Sequence, residues 1–339
     1  MVLTRIIIYG AGAIGSVIAG HLFRRDYEVV LVGNPEHIRA IKTHGLKLVT
    51  GEETFTLPIP VAERALELAP FHDDDRVLMC VKSQHTLQCL GQLKNASSPS
   101  TLPLFCCQNS IWNEPIATTV FDRVYGVMLY VDAIFLLPGE VINPVTEPYG
   151  YLEIGRYPRG SDPLCHEIAD ALSRSGFSVI ATDNVMKSKG AKCLLNLSNA
   201  LLVITGSRGN LSAVERELRR EAVQVWASAG IEWEDFESFE RRCRENSGKR
   251  KTPTGYEKLT KEMSNSSWQS LERRTGNIEA GQLNGDVSTL GRFLGIKTPY
   301  NDIVWEVAEK MARGRERPGK YTADEIVRMA QLDRNWTRK

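Results

Sequence analysis

Three glycines at positions 10, 12 and 15 stand in IIIYGAGAIGS with the spacing G-x-G-x-x-G, between a β-branched apolar run and a stretch of small residues. Where a strand turns into a helix, the first such glycine permits a tight turn and the second lets backbone approach a pyrophosphate. The third lets helix and strand pack closely. A helix starting at Ala13 and Ile14 would then offer unpaired N–H groups and a partial positive charge to phosphate. The chemistry indicated is dinucleotide binding; a turn that only packs closely is the other outcome of the same spacing. The end of the next strand, in VVLVGNPEHIR, is where such a site chooses its cofactor. No Asp or Glu stands there to hold a ribose 2′-hydroxyl. Asn34 is neutral, Glu36 lies two residues on, and Arg39 is the nearest cation, so these residues lean to NADP over NAD.

A second polar group lies far downstream, in KSKGAKCLLNLSNALLVITG. Lys192 and Asn196 are four residues apart, so a helix puts them on one face. Leu194, Leu195, Leu197 and Leu201 make much of the rest apolar, and a lysine turned inward among them is costly unless it is used. On spacing alone a solvated Lys192 is the more ordinary outcome.

The elements that must hold these residues alternate through the first half. RIIIYG reads as a buried strand, AIGSVIAGHLFRRD as a helix and YEVVLVG as a second strand. PEHIRAIKTHG reads as a helix with Pro35 at its start and Gly45 at its end. RVLMCVK and LPLFCCQN are short continuous apolar runs, the pattern of parallel strands covered on both faces. This alternation predicts an α/β fold with a Rossmann-type doubly wound sheet. From about residue 123, RVYGVMLYVDAIFLLPGEVINP and YGYLEIGR read as strands joined by Pro/Gly turns, an antiparallel extension. After GFSVIATDN the strand signals mostly stop. The expected division is a dinucleotide-binding domain over 1–183 and an all-α domain over 184–339. Within the latter, residues 241–258 (RRCRENSGKRKTPTGYEK) are basic and nearly without apolar content, which suits a solvated loop or helix extension, or a flap over a site.

Composition narrows the partners. The 339 residues are 42% hydrophobic and 24% charged, with 42 basic and 41 acidic side chains and a net charge of +1. That balance gives no electrostatic footprint for nucleic acid or a membrane surface and favours a small-molecule partner. Seven scattered cysteines, several in apolar runs, have no metal-ligand spacing and suit buried reduced thiols; no metal site is expected. With no signal peptide or apolar run of bilayer length visible, a cytoplasmic location is the expectation.

Taken in order, GAGAIGS, VKSQHT after the third strand, QNSIWNE after the fourth, AKCLLN near the domain junction, and SSWQS followed by IEAGQLNG resemble the ketopantoate reductase (2-dehydropantoate 2-reductase) family, over roughly residues 5 to 312. The resemblance implies NADPH-dependent reduction of a 2-oxo acid to the 2-hydroxy acid, in a cleft between a Rossmann domain and a helical domain. Any homodimer would form through the helical half. It makes Lys192 the general acid and Asn196 the asparagine one turn on. Lys82 becomes the lysine beside the cofactor, and Asn109 a contact to cofactor and substrate. Gly10, Gly12, Ala13, Ile14, Gly15 and Asn34 complete the cofactor site. Ser267 and Glu279 bind substrate, and Glu279 also holds the lysine charged and oriented or accepts a substrate hydroxyl. These two are twelve residues apart, which one straight helix would place about 120° around from each other, so a break is expected, with Gly276 to supply it.

The implied chemistry is coherent, because hydride delivery to a ketone carbon builds negative charge on oxygen, which an ammonium group can stabilise and protonate. Several positions depart from the family pattern. Ala200 replaces a second asparagine, with Asn199 one place earlier; Ser110 replaces a glycine, Ser270 an acidic residue and Asn34 an arginine. Trp112 and Trp268 stand beside motif residues and suit a bulkier or more apolar substrate, or core packing. A reductase of the same lineage acting on another ketone or an imine is the alternative enzyme, and a non-catalytic NADP-sensing protein the alternative class. Retention of Lys192 and Glu279 speaks against a sensor.

Overall fold

A computed structural model describes residues 5–97, 101–206, 208–257, 266–272 and 278–336. In β1 (Arg5–Tyr9), Ile6 and Ile8 point to one side of the sheet and Ile7 and Tyr9 to the other, and all four are buried. A strand covered on both faces needs such a continuous apolar run. The first side is packed by α1 (Ala13–Phe23), through Val17, Ile18 and Leu22. β2 (Val29–Val32) follows, then α2 (Pro35–His44), which has proline in its first turn and ends at Gly45 with φ +80°.

The chain next forms β3 (Leu46–Thr50) and β4 (Thr54–Leu57), an antiparallel hairpin absent from the sequence expectations, and the short β5 (Val61–Ala62) beside β2. β6 (Asp75–Met79), α3 (Thr86–Ala96), β7 (Leu104–Cys106), α4 (Asn113–Ala117) and β8 (Val124–Tyr130) continue the alternation. Then come β9 (Glu140–Asn143), β10 (Tyr151–Arg156), α5 (Pro163–Arg174) and β11 (Ser178–Ala181).

The main sheet has the order β11-β10-β8-β7-β6-β1-β2-β5. All its neighbours run parallel except β8 and β10, so the antiparallel extension is that one pairing. β9, expected in the same extension, instead joins β3 in a separate three-stranded sheet, order β4-β3-β9. A buried histidine on α1 helps to fix that second sheet. His21 Nε2 lies 3.2 Å from Asn143 Oδ1, and its ring stacks on Tyr149 at 3.9 Å between centroids. Burial lowers the His21 imidazole to about 3, so it stays neutral.

The remainder is helical: α6 (Val185–Asn196), α7 (Ser198–Thr205), α8 (Leu211–Ala229), α9 (Phe236–Asn246), α10 (Ser266–Glu272), α11 (Asn284–Phe293), α12 (Pro299–Arg313) and α13 (Ala323–Trp336). Packing divides the described residues into two units, those within Met1–Lys189 and Glu237–Glu262, and those within Gly190–Phe236 and Met263–Lys339. The division expected at 183 therefore falls inside the first unit. Polar contacts explain the difference: Ser188 on α6 donates to Glu153 on β10 at 2.6 Å, and Arg242 on α9 donates to the same carboxylate at 2.7 Å. Much of the basic segment belongs there too. Gly248, Lys249 and Lys251 exchange backbone hydrogen bonds with residues 144–148, and Lys47 donates to Tyr256, which donates to Glu140. Among the described residues, no helix is long and apolar enough to cross a membrane.

In the second unit, α8 buries Val214, Leu218, Ala222 and Val225, an apolar stripe at helical spacing. Glu221, one residue off that stripe and fully buried, accepts from the backbone N–H groups of Tyr300 and Asn301 at 3.1 and 3.0 Å and so caps α12. Burial outweighs these bonds and raises its carboxyl to about 7. The folded state thus holds the Glu221 proton more tightly than the unfolded chain does. The stability this gives is present below the ordinary carboxylate range and is lost as pH rises through about 7. Relative to Glu221→Gln, the parent chain should lose about 3 kcal/mol of unfolding free energy between pH 4.5 and 8. Urea unfolding of both proteins across that range checks it, and a constant difference would refute it.

Candidate active site

Tight contacts shape the turn after β1. Gly10 adopts φ +126°, and a β-carbon there would stand 2.5 Å from Val81 N; one on Gly15 would stand 2.1 Å from the Gly10 carbonyl oxygen. Neither position admits a side chain. Gly12 differs, because nothing lies within 4 Å of where its β-carbon would be. It is the N-cap of α1, and no side chain caps the helix. Open space above uncapped amides at Ala13, Ile14 and Gly15 is what a pyrophosphate needs, so the turn fits a dinucleotide.

Asn34 lies just beyond β2, exposed, with its Oδ1 accepting from Glu36 N at 2.9 Å. Asn34, the residue expected from the sequence to lie at a cofactor ribose, is thus the N-cap of α2. Ser16 and His37, which the sequence did not single out, tie that helix to α1. Gly139 N donates to His37 Nδ1 at 2.8 Å, leaving Nε2 to donate to Ser16 Oγ at 3.1 Å.

Beyond β6 and β7 two loops interlock. Ser83 Oγ and Asn113 Nδ2 both donate to the Asn109 carbonyl, at 2.9 and 2.6 Å, and Gln108 Nε2 donates to Val81 O and Thr86 Oγ1, both at 2.9 Å. Lys82, at the start of the first loop, and Asn109 are both half-buried. Ser110 adopts φ +76°, the left-handed conformation that explains why a glycine is usual there, and its Oγ accepts from Trp112 N at 3.2 Å. Glu114, also in this motif, is fully buried; Lys189 of α6 donates to its Oε1 and, at 3.2 Å, to the Cys106 carbonyl. Burial raises the Glu114 carboxyl while the ammonium opposes the rise. The sequence signal for this pair was slight: Lys189 lies three residues before Lys192, on the same helical face.

The second unit holds the other candidates. Lys192 and Asn196 share a face of α6; Lys192 is half-buried and Asn196 is 6% exposed. The helix breaks at Leu197, so Asn199 and the buried Ala200 belong to α7. Ser267 on α10 is 2% exposed, and its Oγ has no hydrogen-bond partner among the described residues. Glu279, 7% exposed, lies in a turn ahead of α11, and Gly276 falls outside the described residues. From α11, Asn284 Nδ2 donates to the Leu197 carbonyl at 3.1 Å, which brings the turn carrying Glu279 toward the end of α6. Trp112 and Trp268 are each half-buried, in different units. Among the described residues no group of three or more His, Cys, Asp or Glu is placed to hold a metal ion.

Comparison with known proteins identifies the family. The family model described as ketopantoate reductase PanE/ApbA matches residues 6–159, and that described as ketopantoate reductase PanE/ApbA C terminal matches residues 184–312. A 2-dehydropantoate 2-reductase of Pyrococcus abyssi is 25% identical over 315 residues, covering 89% of this chain and 95% of that protein. One from Streptococcus pyogenes serotype M18 is 26% identical over 314 residues, covering 88% and 95%. Among solved structures, a PanE/ApbA family ketopantoate reductase from Ralstonia eutropha is similar with a TM-score of 0.75 at 25% identity, over 92% of this chain and 99% of that one. D-mandelate dehydrogenase, solved with NADH and anilino(oxo)acetate, shares the fold with a TM-score of 0.75 at 22% identity, over 92% and 99%. With both parts of the family matched in order along most of its length, the chain belongs to the ketopantoate reductase family of oxidoreductases.

Proposed function

We propose that this chain reduces a 2-oxo acid to the 2-hydroxy acid with NADPH, and that Lys192 supplies the proton. The observation that carries this reading is the set of polar side chains buried in the helical unit. Asn196, Ser267 and Glu279 are each less than a tenth exposed, and Ser267 Oγ has no partner among the described residues. A buried polar group left without a hydrogen bond is costly, so the Ser267 hydroxyl points to a polar ligand.

The glycine turn, Asn34, Lys82 and Asn109 would hold the cofactor, whose dihydronicotinamide supplies a hydride to the carbonyl carbon when bound. The Lys192 ammonium donates a hydrogen bond to the carbonyl oxygen, stabilises the charge that develops there and gives up its proton. Asn196, Ser267 and Asn109 donate to substrate oxygens. Glu279 keeps the lysine charged and oriented or accepts a substrate hydroxyl. Trp112 and Trp268 suit a 2-oxo acid bulkier or more apolar than ketopantoate, or core packing, and the departures at Ser110, Ala200 and Ser270 leave the identity of the acid open.

Lys192→Ala should lower turnover by roughly 10²–10⁴-fold while leaving NADPH affinity nearly intact. Turnover within a factor of a few of the parent would remove Lys192 from the acid role. Cofactor choice has its own test. Position 34 lacks the carboxylate that would repel a 2′-phosphate, and a planar cation placed there would attract one. Asn34→Arg should tighten NADPH binding about tenfold and leave NADH nearly unchanged. Because the substitution also removes the α2 cap, thermal unfolding is followed alongside titration of both cofactors. Equal gains for the two cofactors would show that position 34 does not read the 2′ group, and a parent preferring NADH would overturn the NADP assignment.

A further inference from the structure

Cys80 and Cys107 meet under the glycine turn. In the parallel pairing of β6 with β7, Met79 stands opposite Cys106, so Cys80 and Cys107 are the next opposed pair. Both pack on the face of the sheet that carries Ala11 and Ile14, where their side chains are close enough to interact. Backbone bonds fix each strand end: Cys80 N donates to Tyr9 O at 2.8 Å, and Cys107 N to Met79 O at 2.9 Å. Neighbouring strands lie about 4.8 Å apart, inside the Cα separation that a disulfide spans. Of the seven cysteines, all free thiols, Cys80 alone is half-buried and the other six are buried.

We propose that Cys80 and Cys107 form a redox modification site whose oxidant is a peroxide, and that their disulfide weakens cofactor binding. Cys80, the more exposed thiol, reacts first: its sulfur bonds to one peroxide oxygen, the O–O bond breaks, and the other oxygen leaves as water with the thiol proton. The sulfenic acid so formed is attacked by the Cys107 sulfur. The S–S bond forms, the S–O bond breaks, and the Cys107 proton leaves with the oxygen as a second water. Two thiols have then lost two electrons and two protons, and the peroxide has taken up both. Burial keeps the Cys107 thiol protonated until that step, since it pushes the group well up against the pull of the Lys189 ammonium.

The consequence for the cofactor rests on the dinucleotide reading above and follows from packing. A disulfide holds its sulfurs about 2 Å apart, well inside a thiol–thiol contact. Cys107 is confined by the core at 3% exposure, so the movement falls on the end of β6. There the Cys80–Val81 peptide lies against Gly10, where a β-carbon would come within 2.6 Å of Cys80 C. Drawing Cys80 toward Cys107 therefore displaces the surface under the glycine turn, and with it Lys82 two residues on.

The test uses the full chain without cofactor, treated with hydrogen peroxide, alkylated and mapped by peptide mass. A cross-linked pair of peptides containing Cys80 and Cys107, two hydrogens lighter and reversed by dithiothreitol, is expected. NADPH affinity, read by fluorescence titration, should fall roughly tenfold to a hundredfold on oxidation and return on reduction. Cys80→Ser and Cys107→Ser should each abolish both effects, and Cys80→Ser, at the less buried position, serves if the other variant fails to fold. A cross-link between other cysteines, or Cys80 oxidised to the sulfinate without one, overturns the site. A Cys80–Cys107 bond that leaves NADPH affinity unchanged overturns its effect on the cofactor. If the reduced protein binds no NADPH, the dinucleotide reading fails and the proposed effect on affinity with it, while the mass map still decides the disulfide.

Discussion

A β-carbon on Gly15 would stand 2.1 Å from the Gly10 carbonyl oxygen, so α1 can lie against the end of β1 only because that carbon is missing. Much of the first unit depends on this approach. With α1 close to the sheet, Val17, Ile18 and Leu22 reach Ile6 and Ile8, and His21 reaches Asn143 on β9. Ser16, one residue beyond the contact, meets His37 of α2 and through it the backbone of Gly139. The same approach leaves the first amides of α1 uncapped below open space at Gly12. One steric allowance thus builds the core and leaves room for phosphate.

A second constraint is the burial of charge. Glu114 and Lys189 are almost wholly removed from water, and each would be costly alone. Together they hold the first turns of α6 to the loop that carries Asn109, itself locked by Ser83 and Asn113. Glu153 acts similarly, taking bonds from Tyr151, Ser188 and Arg242. These contacts explain why the first unit takes in the start of α6 and the segment around α9.

Local patterns made the central fold legible. Continuous apolar runs marked β1, β2, β6 and β7, and Pro35 with Gly45 framed α2. The placement of β9 was not legible, because VIN suits any strand, and its partner β3 lies about ninety residues earlier. The strap at 247–257 escaped for a related reason. Its attachment uses backbone bonds and ion pairs such as Lys251 with Glu52, which leave no periodic signal in a polar segment. In the candidate site, the glycine turn could be read from spacing and its context. Lys192, Ser267 and Glu279 could be read only through family resemblance, since nothing local distinguishes them from surface residues. His37 and Glu114 were hidden because their partners, Gly139 and Lys189, are remote in sequence.

The central claim is that a reduced nicotinamide cofactor delivers its hydride to the carbonyl carbon of a 2-oxo acid on this chain. Its most direct test supplies NADPH with deuterium at the transferable position of the nicotinamide, together with ketopantoate and bulkier 2-oxo acids. NADPH absorbance is followed and the products are analysed by mass spectrometry and NMR. The account predicts that absorbance falls with at least one of these acids and that its 2-hydroxy product carries one deuterium at C2. Unchanged absorbance with every acid, or a product without deuterium at C2, would contradict it.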